Sequence, residues 1–124
     1  MPRGASTHAV VQLAALDLRR RPDHRVELTS QLLMGEVVRV LERTRDGQWC
    51  RLENESDRYV GWARAYGLCP APRARVLRWK SLARGRVVVP FCDVRSAARG
   101  GHALTPLFWN CRVIPGRVTG GRRR

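Results

Sequence analysis

Between Ala9 and Leu68, apolar residues fall in short stretches broken by turn residues roughly every ten positions, the spacing of a small all-β fold. Val10, Val11 and Leu13 open the pattern, and Leu16 and Leu18 flank Asp17 with the two-residue period of a half-buried strand. Arg20-Arg21-Pro22-Asp23-His24 reads as a loop, because Pro22 fixes its own φ and takes one donor out of any ladder. Leu28 to Leu33 predicts the next strand. Gly35 marks a bend into Glu36 to Arg43, whose β-branched residues suit a pleated surface. Asp46-Gly47 between two apolar runs predicts a hairpin whose return strand carries Trp49, Cys50 and Leu52. After the polar turn Glu55-Ser56-Asp57, Tyr59-Val60-Gly61-Trp62 predicts a further strand, with a glycine that lets another group approach its backbone.

Sliding the chain on itself by 76 residues without a gap pairs Val11 with Val87, Asp17 with Asp93, Arg19 with Arg95, Leu28 with Leu104, Thr29 with Thr105 and Val37 with Val113. Leu32 then faces Phe108, Leu33 faces Trp109 and Val38 faces Ile114. A self-match at fixed offset predicts a second unit of the same kind. Between the copies, Val76, Leu77, Trp79 and Leu82 predict a short amphipathic helix after Pro72 that packs on a barrel through Trp79. Arg124 corresponds to Gln48 at this offset, so the counterpart of Trp49 to Pro70 lies beyond the sequence. A piece of about forty residues seldom folds alone. Either the chain is a truncated product, the favoured reading, or the first barrel or a partner completes the second. The expected layout is a disordered leader over 1–8, an SH3-like barrel over 9–70, a linker over 71–85 and a partial second barrel over 86–124.

The motifs Met34-Gly35-Glu36, Asp46-Gly47-Gln48-Trp49 and Tyr59-Val60-Gly61-Trp62, in that order, resemble a bacterial SH3 domain, and more particularly the N-terminal SH3 region of NlpC/P60 cysteine peptidases, which cleave peptidoglycan stem peptides. Leu104-Thr105-Pro106-Leu107-Phe108-Trp109-Asn110 resembles that family's second SH3 domain. The resemblance implies an all-β protein, a small SH3-like barrel followed by a linker helix and an incomplete second barrel. It also implies a module that positions a peptidase on its substrate or narrows access to its active site, with peptidoglycan or a cell-wall peptidase domain as partner.

Charge complicates this picture. Nine acids and nine arginines precede residue 58, whereas residues 58–124 hold fifteen cations and one acid, Asp93, and so carry the whole net charge of +14. Such a balance attracts phosphate and makes a nucleic-acid-binding SH3-like module the competing reading. Yet 23 of the 24 cations are arginine, a bias that suggests a GC-rich genome, and they are spread along strands and linker instead of gathering beside aromatics. The cell-wall module is therefore preferred. No run approaches the ~20 apolar residues of a membrane-spanning helix. The N-terminal apolar run is short and carries no convincing export signal, which reads as cytoplasmic by sequence and cell envelope by the resemblance.

Candidate chemistry is sparse. Cys50, Cys69, Cys92 and Cys111 form no C-x-x-C pair and His8, His24 and His102 lie apart from them, so no metal or other cofactor is expected. An NlpC/P60 nucleophile sits at a helix N-terminus in an Asp-Cys context; Phe91-Cys92-Asp93-Val94 reverses that order inside a predicted strand, and Cys92 reads as a core residue. No catalytic residues are assigned and the chain is not expected to be an enzyme by itself. Recognition remains, and the SH3-like groove is expected to gather Arg20, Arg21, Asp23, His24, Trp49 and Tyr59.

Overall fold

The computed structural model describes residues 7–97 and 99–116, together with the backbone of 118–119 and 122–123. The expected leader falls outside the described residues up to residue 6, and His8 already belongs to the first strand. Strands β1 (His8–Val11), β2 (Ala15–Arg19), β3 (Leu28–Leu33), β4 (Val37–Arg43), β5 (Trp49–Asn54), β6 (Val60–Arg64) and β7 (Leu68–Ala71) form one antiparallel sheet in the order β3-β2-β6-β5-β4-β1-β7. A single 3-10 turn, Ala65–Gly67, links β6 to β7. The fold is all-β with one short helix, as an SH3-like barrel requires.

The period-two pattern sets the interior. Leu16 and Leu18 of β2, Leu32 of β3, Val38 and Val40 of β4, Leu52 of β5 and Leu68 of β7 close one buried cluster. Each fully buried leucine contributes about 1.5–3 kcal/mol through apolar area removed from water. Gly61 on β6 permits the expected close approach: a Cβ there would stand 3.3 Å from Cβ of Leu18. Asn54, buried and polar, is satisfied because its amide donates to Glu36 Oε2 at 3.3 Å while its carbonyl oxygen accepts from the Ser56 N–H at 3.2 Å.

Helix α1 (Arg73–Leu82) follows Pro72. Of the four apolar residues expected to form its inner stripe, Val76 is buried and Trp79 half-buried, whereas Leu77 and Leu82 face solvent. The helix therefore rests on the barrel along a narrow line at Val10, Val37 and Ala71. The Trp79 indole N–H donates to the carbonyl oxygen of Gly35 at 2.8 Å.

Beyond α1 come β8 (Gly85–Arg86), β9 (Phe91–Arg95), β10 (Ala103–Phe108), β11 (Arg112–Val113), β12 (Val118–Thr119) and β13 (Arg122–Arg123), paired as β9-β10, β8-β11 and β12-β13. Their hydrogen bonds reproduce those of the first barrel. The amide of Gly35 donates to Val11 O at 2.9 Å and that of Asn110 to Val87 O at 2.8 Å; Glu36 donates to Leu33 O and Cys111 to Phe108 O, both at 3.1 Å. Both turns need a left-handed residue, Gly35 at φ 88° and Asn110 at φ 74°.

These equivalences correct the ungapped self-match. The offset is 76 through β9 and 75 from β10 onward, because the loop over 96–102 is one residue shorter than the loop over 20–27. Leu32 thus matches Leu107, not Phe108, and Leu33 matches Phe108, not Trp109. Burial agrees, since Leu32 and Leu107 are both buried while Phe108 is exposed. The β-bulge repeats too, with Thr29 and Leu104 as the residues skipped in each ladder.

Candidate functional site

The six residues expected to line one groove divide between two ends of the barrel. Trp49 opens β5, pairing with Arg64, whereas Tyr59 stands opposite Asn54 at the other end, where its carbonyl accepts the Asn54 N–H at 2.9 Å. Five residues of strand separate them, about 16 Å. Tyr59 lies beside the start of β3, its hydroxyl 3.5 Å from Thr29 O, at the end of the barrel where the β2–β3 loop enters that strand. That loop presents Arg20, Arg21 and His24 to solvent. Asp23 is engaged within it: Arg25 donates to the Asp23 carboxylate from Nε at 3.2 Å, from Nη2 at 3.1 Å and from its backbone N–H at 2.9 Å. The side-chain bond from Arg25 leads in lowering the Asp23 pKa from 3.8 to about 2. The cause is strand geometry: Trp49 lies at the open end of the β5–β6 hairpin, opposite Arg64, and Tyr59 at its turn.

Trp49 instead belongs to an aromatic and cationic platform that includes Tyr66, which the sequence reading left out. The guanidinium of Arg64 lies over both rings, 5.2 Å from the centre of Trp49 and 5.7 Å from that of Tyr66. Each such contact is worth about 0.5–1 kcal/mol at an exposed site. Trp49 is only 6% exposed, whereas Tyr66 is 64% exposed and forms the accessible face.

Local hydrogen bonds hold this platform. The Trp49 N–H donates to Thr44 Oγ1 at 3.1 Å, the Thr44 hydroxyl donates to Asp46 Oδ1 at 2.6 Å, and the Gln48 N–H donates to the same oxygen at 3.0 Å. The Thr44 bond, then the Gln48 bond, depress the Asp46 pKa. Arg64 Nη2 donates to Gln48 Oε1 at 3.3 Å, while its Nε is buried with no hydrogen-bond partner among the described residues. Gln12 Nε2 donates to Tyr66 O at 2.8 Å and fixes the 3-10 turn that carries the tyrosine. The period-two pattern carries no signal for Tyr66, because it sits on a turn between Ala65 and Gly67; its place two residues after the end of a strand is the available clue.

Cys92 lies on β9, packed beside Val87, Leu107 and Cys111, and Asp93 follows it along the strand. Among the described residues, no group of three His, Cys, Asp or Glu side chains is placed to hold a metal ion together. No helix among the described residues is long and apolar enough to cross a membrane.

A sequence model of the family described as the bacterial dipeptidyl-peptidase SH3 domain matches residues 18–68. No curated protein matches the chain. A solved structure described as a novel NlpC/P60 endopeptidase from Photobacterium damselae subsp. piscicida superposes with a TM-score of 0.68 at 13% identity, covering 96% of this chain. The chain spans 30% of that endopeptidase's length.

Proposed function

With residues 18–68 a bacterial SH3 domain that resembles the N-terminal region of NlpC/P60 peptidases, we propose that this chain is a non-catalytic recognition module that binds or positions the stem peptides of peptidoglycan for an NlpC/P60-type endopeptidase domain. Its two structural copies act as tandem SH3 units. The observation that carries the reading is the Tyr66 face with the Arg64 guanidinium behind it. An exposed ring gives an extended peptide a flat apolar contact, and the cation beside it offers a charge to a carboxylate. Cys92 fits the non-catalytic assignment, because it lies on a strand in an apolar cluster and not at the start of a helix.

The test is retention of the chain on insoluble peptidoglycan sacculi beside binding of a labelled single-stranded RNA, both across a salt series. Retention is expected, and Tyr66→Ala should weaken it about tenfold, the equivalent of ~1.4 kcal/mol. RNA binding that persists near physiological salt, without retention on sacculi, would overturn the proposal in favour of a nucleic-acid module.

A further inference from the structure

A second concave site, of about 340 Å³, lies between α1 and the β4–β5 hairpin. It is about 13 Å along β5 from Trp49, and so separate from the platform. Arg39 of β4, Arg58 of the β5–β6 turn, and Arg73 and Lys80 of α1 line it, with Glu53 and Glu55 between them. Both carboxylates are already engaged. Lys80 Nζ donates to Glu55 Oε2 at 2.8 Å, His8 Nε2 stands 4.0 Å from the other Glu55 oxygen, and Arg58 Nη1 lies 3.7 Å from Glu53 Oε1. Arg39 and Arg73 have no acidic partner among the described residues. Four cations against two carboxylates leave the cleft with a formal excess of two positive charges when His8 is neutral. Lys80 and Glu55 also border a smaller pocket of about 100 Å³ that reaches Arg112, whose Nε is buried with no hydrogen-bond partner among the described residues.

We propose that this cleft is an anion site for a small ligand carrying two oxyanion charges, as a dicarboxylate or a phosphate does. Guanidinium groups present paired N–H donors that match such oxygens in bidentate fashion. Buried Val76 adds an apolar floor to the cleft, and the exposed Leu77 edges it. One arginine comes from the barrel and the other from the helix, so a bound anion bridges them and fastens α1 to β4.

Titrating the full chain with succinate and, separately, inorganic phosphate at constant ionic strength tests this, read by calorimetry and amide chemical shifts. Saturable binding of at least one anion is expected with a Kd below about 1 mM, and Arg39→Ala with Arg73→Ala should weaken it about tenfold. Which anion saturates identifies the ligand as carboxylate or phosphate. Arg75→Ala with Arg78→Ala removes the same charge from exposed positions outside the cleft and should leave the Kd within about twofold. Equal losses in the two double variants, each still melting cooperatively, would reduce the effect to net charge and overturn the proposal. Neither anion binding more tightly than chloride would do the same.

Discussion

Leu32 and Leu107 occupy the same place in their respective copies: each faces its neighbouring strand at the position of Leu16 or Cys92 and points into a buried cluster. Leu107→Ala should therefore cost about 2–3 kcal/mol, through lost transfer energy and the cavity left behind. Phe108→Ala, at a residue 39% exposed, should cost under ~1 kcal/mol. Urea melts of the two variants decide it; a larger loss in Phe108→Ala would restore the ungapped alignment.

The bond from Trp79 to Gly35 joins the linker to the turn after β3. Trp79→Phe keeps most of the ring and leaves that carbonyl without its donor, at a cost of about 1–2 kcal/mol. Gly35→Ala should be worse. Its φ of 88° disfavours a side chain, and the new Cβ would meet the carbonyl oxygen of Arg112 at 2.5 Å. Hydrogen exchange should quicken from β8 to β11 in Gly35→Ala; unchanged protection there would count against docking through this turn.

Asp23 supplies a pH signature. Its carboxyl is lowered from 3.8 to about 2 by Arg25, so the stabilising bond is fully present above about pH 4 and is lost as pH falls through about 2. A carboxyl-carbon NMR titration should find Asp23 ionising near the low value, and Arg25→Ala should return it toward 3.8. An unaltered titration in that variant would remove Arg25 as the cause.

The four thiols should separate by accessibility. Cys69 is exposed, whereas Cys50 and Cys111 are buried, and burial pushes the Cys50 thiol pKa up. Native-state labelling with a thiol reagent should modify Cys69 first, with Cys50 and Cys111 reacting only on unfolding. Four equal rates would contradict the arrangement of both copies.

The sequence was most legible where alternation and turn chemistry agree. Leu28 to Leu33 forms a strand at those residues, Asp46-Gly47 turns between β4 and β5, and the helix follows Pro72. The copy offset was only partly legible. A deletion in a loop leaves the apolar character of a strand intact when neighbouring residues are all apolar, as Leu107, Phe108 and Trp109 are. Register then depends on pairing, which one chain read alone does not display. The site was least legible, because a groove is a property of which strand ends meet. Trp49 and Tyr59 share a hairpin, yet Trp49 finds its partners in Arg64 and, beyond the strand, Tyr66.

Met34 and Gly35 offer consecutive carbonyl oxygens to different elements: the first accepts the Arg112 N–H at 2.9 Å, the second the Trp79 indole. Linker and second copy thus grip neighbouring peptide groups of one tight turn. Three of the four groups in these bonds are backbone, so the angle between the copies is insulated from drift in surface residues. Because this grip rests on peptide groups, side-chain changes on the outer faces of either copy leave its hydrogen bonds in place.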